Sequence, residues 1–265
     1  MSSDALIQAL RDALGDSAVI TDPGDLAPHL VEERGLYHGA SPALVKPSYT
    51  EQVAEIVKIC AAHTTPIIAH GGNTGLVGGG VPDGAVIVDF SRMNKIVSID
   101  AANLTMVVEA GAILADVQTA AEDAGAYFPL SLGAEGSCRI GGNLSTNAGG
   151  VHVVRYGNAR QLVLGLEVVL ADGRVWDGLR ALRKNNTGYE LKELFLGAEG
   201  TLGLITRAVL RLYPKPLSKA VAFAGCASFD HAFALFQVAR SRAGDVLMAG
   251  ETRRDFSVAL PDKEL

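Results

Sequence analysis

Two glycine-rich segments constrain this chain more than anything else in it. Residues 71–80 read GGNTGLVGGG, and residues 133–150 read GAEGSCRIGGNLSTNAGG. Each is decorated with Asn, Ser or Thr and adjoins a strand-like apolar run. Glycine permits positive φ and lets bare N–H groups approach an anion that a side chain would obstruct. Taken singly, either segment reads equally well as a tight turn. As a pair they point to backbone wrapped around a phosphate-bearing ligand. Neither follows the usual nucleotide patterns: no G-x-x-x-x-G-K-[ST] occurs, and no G-x-G-x-x-G joins a strand to a helix.

The 265 residues suffice for one large domain, or for one domain and part of another. With 48% apolar residues and a mean hydropathy of +0.23, a sizeable core is easily supplied. The net charge of −6 and the lack of any Lys/Arg run argue against binding a nucleic-acid backbone. Cys60, Cys138 and Cys226 are scattered and form no C-x-x-C, so neither a disulfide framework nor a zinc site is expected. Cys138 lies inside the second glycine segment, where a small residue in a crowded turn is a better reading than a redox thiol. His29, His38, His63, His152 and His231 show no i,i+4 or H-x-H grouping, and no metal site is expected. The N-terminus lacks a basic region followed by an apolar stretch, and no uncharged apolar run is long enough to cross a bilayer. A soluble cytoplasmic protein is the expectation.

Apolar spacing predicts a short first helix with Leu6, Ile7, Leu10 and Leu14 on one face, capped by Ser2 or Ser3 and stopped by Gly15. A second helix follows Lys46-Pro47, opened by Ser48 with Glu51 at capping-box spacing or by Thr50, with Val53, Ile56, Val57 and Cys60 as its buried stripe. Strands are expected at 66–69, 85–89 and 95–100, then a half-buried one on Leu104, Met106 and Val108. Helical spacing returns over Leu114, Val117, Ala121 and Ala124. A strand at 161–170, an Asp172-Gly173 hairpin turn, a short helix near 190–195 and a long strand at 201–212 complete the pattern. Beyond Pro216 one strand (219–224) and one helix (229–242) are expected. The remaining tail is too short for a domain of its own.

The first glycine segment offers consecutive free N–H donors and the Thr74 hydroxyl, which suit a pyrophosphate where no lysine is nearby. The second adds Ser137, Asn143, Ser145, Thr146 and Asn147, polar groups without charge that suit ribityl hydroxyls and the edge of a heterocycle. Such groups avoid burying an unpaired charge beside a ring.

These stretches carry a resemblance. PIIAHGGNTGLVGGGVP (66–82) resembles the pyrophosphate loop of flavoproteins of the vanillyl-alcohol oxidase and p-cresol methylhydroxylase (PCMH) superfamily. LSLGAEGSCRIGGNLSTNAGGVHVVRYG (130–157) resembles their flavin-edge loop, and residues 164–176 and 182–206 continue the match. Within the superfamily the wording is similar to the FAD-linked D-2-hydroxyacid dehydrogenases, the group that holds the D-2-hydroxyglutarate and D-lactate enzymes.

The resemblance implies an α+β fold: a two-lobed PCMH-type FAD-binding domain at 41–217, with a small α/β lobe and a larger mixed or antiparallel sheet lobe. Residues 1–40 would be a helix and lead-in, and 218–265 the start of an incomplete cap domain. It puts the pyrophosphate on Gly71, Gly72, Asn73, Thr74, Gly75 and Leu76. Leu132, Gly133, Gly136, Ser137, Gly141, Gly142, Asn143, Thr146, Asn147, Ala148, Gly149 and Gly150 would line the ribityl and isoalloxazine part. Glu199, Gly200 and Ile205 would close over the adenine and ring side. Asn73 stands where covalent relatives carry histidine, so FAD is expected to be non-covalent; His70 is read as packing the loop. Lys184, Asn185, Asn186 and Tyr189 match a family loop that either nears the flavin or stays in solvent.

The implied chemistry is oxidation of a 2-hydroxyacid, with hydride passing from C2 to flavin N5 and electrons going on to a quinone or an electron-transfer protein. The catalytic base and substrate groups are expected in a C-terminal half that these residues do not contain, so the catalytic residues are unknown and this chain is expected to be inactive alone. An exposed cap-facing surface would favour a homodimer. Two other readings stand beside this one: a non-catalytic flavin-binding subunit or remnant, and an NADPH-dependent flavoprotein reductase of the same superfamily.

Overall fold

A computed structural model describes residues 3–251. Its first lobe is built on a four-stranded sheet of β1 (Val19–Ile20), β2 (Leu44–Val45), β3 (Ile67–His70) and β4 (Val86–Asp89), in the order β1-β2-β4-β3. β2 and β3 both run parallel to β4, and β1 is antiparallel to β2. Helix α1 (Ser3–Leu14) and the short α2 (Pro23–Leu26) precede β2, and α3 (Thr50–Ala62) follows it. Leu6 and Leu10 of α1 pack with Val53, Ile56, Val57 and Cys60 of α3, with Ile7 and Leu14 partly buried beside them. Burial of each such side chain contributes about 1.5–3 kcal/mol. Gly15 ends α1 at φ 84°, its N–H donating to Arg11 O at 2.8 Å. The Ser2 cap lies outside the described residues.

The second lobe is a five-stranded antiparallel sheet of β5 (Ile96–Asp100), β6 (Thr105–Glu109), β8 (Val163–Val169), β9 (Val175–Gly178) and β10 (Leu204–Arg211), ordered β5-β6-β10-β8-β9. Helix α4 (Leu114–Asp123) covers it with Leu114, Val117 and Ala121, and β7 (Ala126–Tyr127) pairs with β11 (Tyr213–Pro214) as a separate two-stranded sheet. Two short helices belong here: α5 (Ile140–Ser145) lies within the second glycine segment and α6 (Val153–Tyr156) follows it. A last helix, α7 (Phe229–Ala243), is capped by Ser228, which accepts from the His231 N–H. The small-lobe core takes in Ala110, Val169 and Leu204 from the large lobe, so α3 is packed between the two sheets. An α/β lobe against an antiparallel lobe is the expected α+β, PCMH-type architecture.

Several local expectations differ. Residues 219–224 form no strand and are exposed, pairing with none of the strands among the described residues. Leu104 sits at φ 53° in the turn before β6, and that strand is buried on both faces instead of alternating. Residues 201–203 belong to a turn, and 191–194 form a single 3-10 turn. The capping box at Ser48 is not formed: Tyr49 is the α3 N-cap, and the Ser48 N–H donates to Gln52 Oε1 at 2.7 Å. Residues 252–265, the end of the expected incomplete cap, lie outside the described residues.

Candidate FAD site

Strand β3 ends in His70 and releases the first glycine segment at the top of the small-lobe sheet. None of the backbone N–H groups from Gly71 to Leu76 donates to another backbone carbonyl among the described residues. Unpaired donors in series form an anion-binding surface. The loop is closed by His70, whose Nε2 lies 2.5 Å from Gly80 O. Asn73 adopts φ 50°, a left-handed conformation that costs a non-glycine residue free energy unless its surroundings fix it.

The second segment is laid against this loop by the chain entering α4. Ile140 N–H donates to Ala112 O at 2.9 Å, Gly141 N–H to Ala110 O at 2.7 Å, and Leu114 N–H to Cys138 O at 3.1 Å. The two segments then touch. A Cβ at Gly72 would stand 2.1 Å from Ser137 O, so only glycine fits there. One at Gly71 would stand 3.6 Å from the Gly142 backbone.

Between them opens a cleft of about 350 Å³, within the range of small-ligand sites. It is lined by Gly71, Gly72, Asn73, Gly136 and Ser137 of the two segments, together with His29, His70, Asp89, Ser91, Ile113 and Arg139. Burial lowers the proton affinity of His70, whose Nδ1 is buried without a partner, and also that of His29. Both rings are therefore neutral at pH 7. The Asp89 carboxylate accepts from Ser91 N and Oγ and lies 3.6 Å from Lys46 Nζ.

The remaining expected site residues continue along the same seam. Asn143 is buried, with its Nδ2 on Cys138 Sγ, and Thr146 Oγ1 donates to Gly142 O at 2.9 Å. Asn147 holds φ 49°, and the Ala148 N–H returns to Asn143 O at 2.8 Å. Gly149 faces Asn158, Gly150 abuts Ser131 O, and the Leu132 N–H donates to Glu135 Oε1. Glu199, at φ 50°, donates its N–H to Ser145 O at 2.9 Å, with Gly200 directly after it. Thr74, Gly75, Leu76 and Gly133 lie outside the cleft wall, and Ile205 is buried in the large-lobe core. Lys184 and Tyr189 are exposed on the surface.

Sequence reasoning singled out none of Asp89, Ser91, Arg139 and Arg160 for this site. Arg160 ties the 193–197 turn to the seam, its Nη1 on Glu193 Oε2 at 2.6 Å and its Nη2 on Leu196 O at 2.5 Å. Asp89 and Ser91 bond each other locally, but Asp89 meets Lys46, Arg139 meets Gly111, and Arg160 meets Glu193 and Leu196 only across the fold, so no local pattern marks the group.

The fit to a flavin dinucleotide can be judged from the open positions. A Cβ at Gly75, Gly133, Gly136 or Gly142 would meet nothing within 4 Å, so the seam leaves room beside both segments. The free N–H run suits a diphosphate, and the uncharged Asn, Ser and Thr groups suit a ring edge.

A glycine seam held between an α/β lobe and an antiparallel lobe defines a dinucleotide-binding domain of neither P-loop nor Rossmann type. The chain belongs to the FAD-binding domain family: the sequence profile of the description "FAD binding domain" matches residues 41–178. FAD is accordingly its cofactor. It is 45% identical over 234 residues to a mitochondrial D-2-hydroxyglutarate dehydrogenase of Bos taurus, covering 88% of this chain and 43% of that protein. Similarity to the Danio rerio protein of the same name is 45% over 240 residues, covering 90% and 45%. Among solved structures, p-cresol methylhydroxylase with substrate bound superposes with a TM-score of 0.69 at 27% identity, covering 81% of this chain and 44% of that one. The chain thus spans about half the length, or somewhat less, of the curated relatives it matches.

The expected cytoplasmic location is not upheld, because both relatives are named as mitochondrial. The lack of a basic-then-apolar leader speaks to secretion and says nothing about mitochondria, whose targeting segments are amphipathic and arginine-rich. No described helix is long and apolar enough to cross a membrane.

Proposed function

We propose that this chain is the flavin-binding part of an FAD-dependent D-2-hydroxyacid dehydrogenase, with D-2-hydroxyglutarate as its first candidate substrate and D-lactate as the second. The observation that carries this reading is the unpaired N–H run at Gly71–Leu76 set against the Gly136–Asn143 segment. Identity to named D-2-hydroxyglutarate dehydrogenases supports the substrate class. On this reading 41–217 is the flavin domain, 1–40 its lead-in and 218–265 the beginning of a substrate domain.

Bound FAD would supply the hydride acceptor for the substrate C2 hydrogen. The chain's own residues bind and orient it. Gly71 to Leu76 hold the diphosphate through backbone N–H groups, and Leu132, Gly133, Gly136, Ser137, Gly141 to Asn143 and Thr146 to Gly150 border the ribityl chain and ring. Glu199, Gly200 and Ile205 border the adenine side. With Asn73 where a tethering histidine would stand, FAD is held non-covalently. The base that takes the hydroxyl proton belongs to the substrate domain, and a quinone or electron-transfer protein takes the electrons.

The test is a visible spectrum of the chain supplied with FAD, taken before and after anaerobic addition of D-2-hydroxyglutarate or D-lactate. A flavin spectrum that survives the hydroxyacid is expected for this chain alone, with bleaching only when the rest of the relatives' length is present. Absence of any flavin spectrum would refute the reading. Bleaching by NADPH alone would replace it with a reductase.

A further inference from the structure

We propose that Arg139 is a diphosphate-binding residue, supplying the positive charge that the first glycine segment lacks. The proposal rests on the FAD reading of the site. A diphosphate is a dianion, and the Gly71–Leu76 segment offers it only neutral donors. Arg139 borders the same cleft as Gly71, Gly72 and Asn73, and its Cβ lies 3.4 Å from where a Gly71 Cβ would be.

The guanidinium is held in place without being neutralised. Its Nη1 donates to Gly111 O at 2.6 Å, and its Nε is buried with no partner. None of the ion pairs among the described residues involves Arg139. A half-buried charge without a counter-charge is costly, and a guanidinium is suited to bidentate phosphate recognition. The one carboxylate on the cleft wall, Asp89, is already satisfied by Lys46 and Ser91. His29 and His70 on the same wall are uncharged at pH 7, so Arg139 is the cleft's available cation.

The test is titration of the ligand-free chain with FAD, followed by flavin fluorescence at low and high salt, for the parent chain, R139M, R139Q and R139K. Loss of a charge-assisted contact predicts ten- to hundred-fold weaker FAD binding in R139M and R139Q, with partial recovery in R139K. The salt dependence should become shallower in the uncharged variants. Undiminished affinity in the uncharged variants would overturn the proposal. Weaker binding with an unchanged salt dependence would also overturn it, because a purely structural role would do that. Failure of the parent chain to bind FAD would instead overturn the functional reading itself.

Discussion

Thr50 Oγ1 donates to Glu167 Oε1 at 2.6 Å, joining the first residue of α3 in one lobe to β8 in the other. The same oxygen accepts from Thr206 Oγ1 at 2.8 Å, and Arg207 Nη1 lies 3.8 Å from Glu167 Oε2. Thr206 reaches it because the β8–β10 register shifts between Ile205 and Arg207, which turns the extra residue toward Glu167. All three hydroxyl and carboxylate groups are buried, so removing the carboxylate strands the Thr50 hydroxyl and leaves Thr206 only its longer bond to Glu167 O at 3.3 Å. E167A should cost about 2–3 kcal/mol in urea unfolding and weaken FAD binding. A loss below about 0.5 kcal/mol would show that the lobes are held by apolar packing alone.

Gly72 and Gly75 sit in one loop and should respond oppositely to alanine. The methyl of G72A would collide with Ser137 O, whereas that of G75A meets nothing within 4 Å. G72A is expected to lose about 1–3 kcal/mol and at least ten-fold in FAD affinity. G75A should stay within about 0.5 kcal/mol of the parent. Equal melting temperatures for both variants would contradict the close approach of the two segments.

Acid should weaken the ligand-free fold before its carboxylates titrate. His70 and His29 are held below the ordinary value of 6.5, mainly by burial. The unfolded chain therefore binds more protons than the folded one just below that value, and stability rises with pH there. The contribution is present above pH 6.5 and is lost as pH falls toward the depressed folded values. The urea midpoint should drop from pH 7 to pH 5, and H70N should flatten part of that slope. A midpoint constant over this window would be inconsistent with a buried neutral His70.

Thiol reactivity separates the three cysteines. Burial pushes the Cys60 thiol up to about 11 and also raises that of Cys138, while Cys226 is exposed. A disulfide reagent at pH 8 should modify one thiol of the native chain quickly and all three after denaturation. Rapid native modification of Cys138 would revive a redox role for it.

How much of this was legible depended on the range of the interaction. Both glycine segments, the α1 and α3 stripes and the Asp172-Gly173 turn follow from local spacing, and Gly173 does adopt φ 78°. Thr50 shows the limit. Its position suggests a helix cap, yet its hydroxyl is engaged by Glu167, and no local pattern could have paired them. Residues 219–224 have strand-forming character, but a strand forms only where it pairs with another, and these residues pair with none of those described. Arg139 was hidden in the same way: within GSCRIGG it reads as a solvent residue, and only the placement of Gly111 and Gly71 around it gives it a site.

The contact of Gly72 with Ser137 also sets an order of events. During synthesis the first glycine segment leaves the ribosome well before its counterpart, and β4 to β7 lie between them. Non-local contacts of this kind form late because their loop-closure entropy comes first. The nascent chain therefore has nowhere to seat a nucleotide until both lobes have been made. Cofactor capture should act as a closing step that rewards completed folding, with no template role at its start.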